Sequence, residues 1–216
     1  MEHDGVKRIR TGGIGYLAPL SGSGEWYWGT DYTSGDLYEA EELYRSGHRI
    51  RQNRLILVHW PDGRVAEPVT AREGQYFGLP AWDGAPVILL ADFPAGEIRL
   101  LRCDDGADAA TPVAVLPLAE IEDCYNLMPH TAPLMLTRQT AGRFQVLWPE
   151  RADFAIHAEE TFCFRDGEKL YFSRWYEDPD YREEVVVRRM PDGAVLEQFR
   201  GSLLELSDGR QWLLTE

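Results

Sequence analysis

Two short stretches rich in aromatic and acidic residues share one pattern that could bind a ligand. The first, WYWGTDY, runs from Trp26 to Tyr32, and the second, WYEDPDY, runs from Trp175 to Tyr181. Both read W-Y-x-x-x-D-Y. Aromatic faces stack on sugar rings, and carboxylates accept hydrogen bonds from hydroxyl groups. The pattern therefore predicts a binding site for a small molecule, a glycan or a protein.

The candidate ligand-binding residues come from these two stretches and from the segment that follows the first one. They are Trp26, Trp28, Asp31, Tyr32, Asp36, Glu39, Trp175, Tyr176, Asp178, Asp180 and Tyr181. An alternative interpretation is that the rings pack between sheets, while Asp31 and Asp180 cap turns. No catalytic residue is assigned.

A carbohydrate-active enzyme that depends on carboxylates is an alternative function for the same residues. Glycosidases hold two carboxyl groups about 5 to 9 Å apart across the sugar bond. Asp31, Asp36 and Glu39 could approach one another, and Asp178 or Asp180 could join them if both stretches lie on one face. Spacing along the chain does not fix these distances. Because it shows no clear catalytic signature, the sequence favours a protein that is not an enzyme.

Other catalytic and cofactor signatures are absent from the sequence. There is no G-x-S-x-G nucleophile elbow, and GGIG at residues 12–15 lacks the Lys-Ser/Thr pair of a phosphate-binding loop. The five histidines show neither H-E-x-x-H nor the i, i+2 spacing that places two imidazoles on one strand face. The sequence predicts no cofactor and no metal site.

Charge and hydropathy narrow the range of partners. The chain has 36 Asp and Glu against 22 Lys and Arg, a net charge of −14, which repels phosphate backbones. No apolar run approaches the roughly 18 residues of a membrane span, and no signal-peptide apolar region follows the N-terminal charges. Cys103, Cys124 and Cys163 lie far apart without a C-x-x-C motif, which is typical of reduced thiols. We expect a cytoplasmic protein that binds neither nucleic acid nor membrane.

A repeated β framework must position these residues. Four segments contain an apolar strand, a tight turn and a second strand, and their turns centre near Asp62, Asp105, Glu150 and Asp192. Successive turns are therefore 43, 45 and 42 residues apart. A period of about 43 residues corresponds to one four-stranded propeller blade.

A second type of hairpin alternates with the first. Four copies are YFGLPAWDGAPVILLAD, CYNLMPHTAPLMLTR, TFCFRDGEKLYFSRW and SLLELSDGRQWLL, and IGYLAPLSGSGEWYWGTDY near the N-terminus is a fifth. Asp-Gly recurs in the turns because Gly adopts positive φ without penalty and Asp tolerates it. The alternation predicts a single domain over residues 1–216, an all-β propeller of about five blades with one incomplete. A β-sandwich or barrel built from hairpins is the alternative.

The one predicted helix belongs to an insertion over residues 33–49, which the second aromatic stretch lacks. Asp36 can cap it, and Glu39 completes a capping box. Glu41 and Arg45 are spaced to form an i, i+4 ion pair. We expect the helix to lie over one mouth of the propeller, as a lid or a plug.

These features favour a non-enzymatic propeller that binds an unknown ligand or partner through an aromatic and acidic face. A further alternative is a self-associating structural subunit whose incomplete blade is the contact edge, because an unpaired strand edge invites pairing with another chain. The fold by itself does not decide between these functions.

Overall fold

The fold is a nearly all-β propeller with four complete blades and one short helix. A computed structural model describes residues 6–104, 107–178, 180–206 and 208–215. In each blade, antiparallel strands pair in chain order. The propeller prediction is confirmed. The number of complete blades is four, and the incomplete fifth is a two-stranded hairpin.

The insertion belongs to the first blade, and the second blade follows it in the chain. The first blade contains β1 (Ala18–Pro19), β2 (Trp26–Thr30), β3 (Leu55–His59) and β4 (Val65–Ala66), and α1 (Leu37–Arg45) lies between β2 and β3. The second contains β5 (Gln75–Phe77), β6 (Ala81–Trp82), β7 (Pro86–Asp92), β8 (Glu97–Cys103) and β9 (Ala110–Pro117), followed by a 3-10 helix (Leu118–Glu120). Both β5 and β6 pair with β7, so the first strand of this blade is interrupted.

The remaining blades have the same order. The third contains β10 (Leu127–His130), β11 (Met135–Thr140), β12 (Arg143–Trp148) and β13 (Ala152–Ala155). The fourth contains β14 (Glu160–Asp166), β15 (Lys169–Tyr176), β16 (Arg182–Arg189) and β17 (Val195–Arg200). The fifth hairpin contains β18 (Ser202–Glu205) and β19 (Gln211–Leu214).

Two of the middle strands are buried on both faces, because each blade packs between its neighbours. Every residue of β7 is buried, as are Leu55 to Val58 of β3. Such strands read as continuous apolar runs instead of alternating ones. Between the third and fourth blades, Phe144, Phe162 and Phe172 pack with centroids 4.8 to 5.5 Å apart.

Two of the predicted turns show the expected chemistry. Asp62 and Asp192 each accept a hydrogen bond, at 3.1 Å, from the backbone N–H two residues further on. The glycines that follow them, Gly63 and Gly193, both have a φ of +69°, which glycine adopts without steric cost. The turn predicted around Asp105 lies outside the described residues.

The ring closes where the fifth hairpin meets the first blade. The hydroxyl of Ser21, in the turn after β1, donates a hydrogen bond to the carboxylate of Glu205 at the end of β18. A Cβ added at Gly209 would lie 3.0 Å from the Cα of Gly22. The close approach of the two turns therefore depends on glycine at position 209.

Candidate functional site

A cavity of about 270 Å³ lies between α1, the end of β2 and the loop that precedes β10. We refer to it as the α1 cavity. Its five aromatic lining residues are Trp28, Tyr32, Tyr38, Phe77 and Tyr125. Its aliphatic lining residues are Leu37, Leu79, Leu127 and Met128. Polar groups come from Thr30, Asp36 and Asn126.

The alternation of side chains along β2 and the capping box of α1 position the cavity residues that these two elements contribute. Side chains two apart on a strand share a face, so β2 directs Trp28 and Thr30 to the same side. The capping box at the start of α1 fixes Asp36, whose carboxylate accepts the Glu39 N–H while Glu39 accepts the Asp36 N–H, both at 2.9 Å. This reciprocal pair orients the first turn of the helix.

Three contacts tie α1 to the loop before β10. The buried carboxylate of Glu41, 1% exposed, accepts the N–H of Cys124 at 2.5 Å. Arg45 pairs with Glu41 at 2.6 Å and donates to the carbonyl of Glu122 at 2.7 Å. The rings of Tyr38 and Tyr125 meet edge to face with centroids 5.4 Å apart. The helix therefore covers the cavity from one side as a fixed roof.

A glycine in the second blade allows α1 to pack closely. A Cβ at Gly78 would lie 2.7 Å from Cδ2 of Leu89 and 3.0 Å from Cδ2 of Leu37. Both distances are too short for an ordinary carbon contact. Gly78, in the interruption between β5 and β6, therefore leaves room for the first turn of α1.

Two residues in the left-handed region of φ flank the cavity. Tyr32 has a φ of +45° and Asn126 a φ of +47°. Asparagine adopts this region easily, whereas a bulky residue such as tyrosine does so at a cost of order 1–3 kcal/mol. This strained backbone at Tyr32 brings its aromatic ring, 51% exposed, into the cavity lining.

The lining of the α1 cavity carries negative charge and no positive charge among the described residues. Tyr38 donates a hydrogen bond to Glu42 at 3.0 Å, and this bond raises the pKa of the Tyr38 phenol above its usual value. Asp36 is the one charged residue among the described lining residues. No lining side chain of the described chain is a lysine, arginine or histidine.

The structure brings three of the predicted residues together here, namely Trp28, Tyr32 and Asp36. Trp26, by contrast, is buried and packs on the His59 ring with centroids 4.9 Å apart. Asp31 accepts the backbone N–H of Arg54 at 2.9 Å. Trp26 therefore packs within the first blade, and Asp31 links the end of β2 to the start of β3.

The second aromatic stretch lies at a different surface. Tyr181 lines a groove with Arg200, Ser202 and Leu214, and none of the described residues of 175–181 lines the α1 cavity. The rings of Trp175 and Tyr181 lie 6.5 Å apart. The remaining members of this stretch are Tyr176, over whose ring Arg182 lies at 3.9 Å, and the exposed Asp178 and Asp180.

Sequence reasoning missed three aromatic residues of the cavity: Tyr38, Phe77 and Tyr125. Tyr38 belongs to the predicted helix. Its place directly after Leu37, in the first turn, was the one signal in the sequence that could have identified it as a cavity residue. Phe77 and Tyr125 come from other blades. No local pattern could link them to α1.

A second cavity, of about 210 Å³, lies among the first strands of the blades. Residues from every blade line it: Ser21, Trp82, Thr131, Cys163 and Glu205. Burial lowers the pKa of its lining residue His130 to about 4 and raises the pKa of Cys163 to about 11. At pH 7 the imidazole is therefore uncharged and the thiol protonated, so the thiol is a poor nucleophile.

Comparisons with known proteins identify no family for this chain. No protein-family model matches the sequence, and a search among curated proteins gives no match. Among solved structures, the chain is similar to the crystal structure of puromycin hydrolase, with a TM-score of 0.44 and 14% identity. The similarity covers 93% of this chain and 33% of that one, so the chain spans about a third of the length of that protein.

Among the described residues, no helix has the length and apolar character that crossing a bilayer requires. No group of three or more His, Cys, Asp and Glu side chains in the described part of the chain is placed to hold a metal ion. Neither observation identifies a ligand.

Proposed function

We propose that the protein binds a small organic ligand in the α1 cavity and catalyses no reaction there. The observation that carries this proposal is the concentration of five aromatic side chains around one concave space with a single carboxylate. Small-molecule sites are concave and mostly apolar, with a few polar groups that fix orientation. The fixed roof formed by α1 adds pre-organisation, which lowers the entropic cost of binding.

The carboxylates around α1 argue for binding over glycoside hydrolysis. Two carboxyl groups must face one sugar bond in a glycosidase, and Asp36 is the one acid among the described residues that line the cavity. Asp31 and Glu39 are each held by a backbone N–H. Asp178 and Asp180 are not among the described residues that line this cavity.

A ligand-observed NMR screen of a mixed library of neutral, cationic and sugar compounds tests the proposal. Tyr125→Leu removes an aromatic face that is 46% exposed in the free protein. The matched control is Tyr181→Leu, which removes an exposed tyrosine from the other groove. We expect hits that Tyr125→Leu abolishes and Tyr181→Leu leaves unchanged. Hits that respond only to Tyr181→Leu, or no hits at all, would contradict the proposal.

We propose self-association through the fifth hairpin as a second candidate, favoured by one observation. Among the described residues β19 pairs only with β18, and its Trp212 is 54% exposed beside the exposed Leu213 and Leu214. Antiparallel pairing of β19 with the β19 of a second copy would form a four-stranded sheet like the complete blades. Unpaired apolar edges favour such contacts.

Mass measurement in solution over a dilution series tests self-association. We expect a dimer that dissociates on dilution, and a Leu213→Lys variant that stays monomeric, because a charged side chain on an edge strand opposes pairing. Val195→Lys, at an exposed position of the neighbouring β17, is the control. A wild-type monomer at every concentration would exclude the dimer.

A further inference from the structure

We propose that the ligand of the α1 cavity carries a quaternary ammonium group, held by cation–π contact with the aromatic lining. This inference rests on the proposed binding function and adds the chemical class of the ligand. Cations with methyl groups on nitrogen bind the faces of Trp and Tyr rings because the ring quadrupole is negative at the face.

The aromatic residues supply the surfaces that such a cation needs. Tyr38 and Tyr125 meet edge to face, so their ring planes differ by 83°. The α1 cavity therefore presents two aromatic surfaces at nearly a right angle, beside Trp28 and Tyr32. Surfaces at different angles can enclose a roughly spherical group, whereas parallel ones would suit a flat ring.

The charges around the cavity favour a cation. Asp36 contributes a carboxylate to the lining. A second carboxylate, that of Glu42, lies beside the lining, because it accepts a hydrogen bond from Tyr38. The neighbouring cations are engaged by acids, because Arg45 pairs with Glu41 at 2.6 Å and Arg138 with Asp123 at 2.7 Å. A net charge of −14 strengthens the same field.

The polar lining groups are already partly used by the protein. The Thr30 hydroxyl accepts a hydrogen bond from Asn53 at 3.2 Å, and Asp36 accepts the Glu39 N–H at 2.9 Å. The Tyr38 hydroxyl donates to Glu42 at 3.0 Å. A sugar requires a partner for each hydroxyl group that it buries, whereas a quaternary ammonium has no N–H and requires none. This difference favours the cation over a glycan.

The test is calorimetric titration with choline and with 3,3-dimethyl-1-butanol, its uncharged carbon isostere. Both probes have the same shape, so their comparison isolates the charge. We expect choline to bind at least tenfold more tightly, a difference of about 1.4 kcal/mol. Equal binding of the two probes would overturn the cation inference and leave the proposed binding function standing.

Three variants locate the cation. Asp36→Asn removes the charge and keeps a good helix cap, so we expect choline to bind about tenfold more weakly to a protein with unchanged Tm. Tyr125→Leu should weaken choline binding by a similar factor, while Tyr125→Phe, which keeps the ring face, should not. Choline binding that neither Tyr125→Leu nor Asp36→Asn weakens would place the cation elsewhere and overturn the inference.

Absence of choline binding at millimolar concentration would also overturn the cation inference. In that case the mixed-library screen decides the proposed function separately, because its neutral and sugar compounds do not depend on a positive charge. A Tyr125-dependent neutral hit would then keep the binding function and replace the ligand class.

Discussion

The carboxylate of Glu41 on α1 accepts a hydrogen bond from the backbone N–H of Cys124 at 2.5 Å, across 83 positions of the chain. The same carboxylate pairs with Arg45, which reaches the carbonyl of Glu122. One buried side chain thus links the inserted helix to the third blade. The roof of the α1 cavity depends on this link.

We predict that Glu41→Ala destabilises the protein by about 1–3 kcal/mol, because it leaves the buried Cys124 N–H without an acceptor. Urea denaturation measures the change. Glu42→Gln, at an exposed position one residue further along α1, should change the free energy of unfolding by less than about 0.5 kcal/mol. Equal effects of the two substitutions would show that the Cys124 contact is unimportant.

We predict that two ion pairs of the fourth blade contribute very different amounts to the free energy of unfolding. Arg188 forms two hydrogen bonds with Glu160, at 2.8 and 2.9 Å, and Glu160 is 2% exposed. Glu160→Ala should cost about 3–5 kcal/mol because it leaves Arg188 charged and largely buried.

The control for that prediction lies in the same sheet. Lys169 and Glu197 pair at 3.1 Å with both side chains exposed, and Glu197→Ala should cost less than about 1 kcal/mol. Chemical denaturation of both variants gives the comparison. Similar losses of stability would mean that burial of the Glu160 pair is not what determines its effect.

We predict a pH dependence of stability from His130, whose pKa burial lowers to about 4. The unfolded imidazole has a pKa of about 6.5, so between these values the unfolded chain binds a proton that the folded chain does not. The stability that the uncharged His130 contributes to the folded state is fully present above pH 6.5 and is lost as pH falls towards 4. At pH 4.5 the loss amounts to about 2 kcal/mol.

His130→Phe provides the control for this pH effect. The imidazole already packs edge to face on Phe162, with centroids 4.8 Å apart, so a phenyl ring preserves the packing and removes the titration. Urea denaturation at pH 7 and pH 4.5 should show a loss of stability about 2 kcal/mol smaller in the variant. Identical losses would refute an uncharged folded imidazole.

We predict that Gly78→Ala destabilises the protein by about 1–3 kcal/mol, because the new methyl group would overlap Leu89 and Leu37. Gly15→Ala is the matched control, since a Cβ at Gly15 meets nothing within 4 Å. Thermal denaturation compares the two. If Gly78→Ala is tolerated but abolishes ligand binding, α1 has moved without loss of the fold.

Local patterns predicted those parts of the fold that depend on near neighbours in the chain. The period of about 43 residues gave the propeller because each blade repeats the same hairpin chemistry. The capping box at Asp36 and Glu39 and the Glu41–Arg45 pair were predictable because they join residues within four positions. The burial of Glu41 was not, because its partner Cys124 belongs to another blade.

The sequence by itself determined the propeller repeat and the short inserted helix, since strand periodicity, turn residues and caps act over a few positions. Tertiary structure alone decided which aromatic residues meet. Trp28, Tyr32, Phe77 and Tyr125 come together only when blades pack around the axis. The similar stretches ending at Tyr32 and Tyr181 separate because their surroundings come from different blades, and packing between blades has no local signature in the chain.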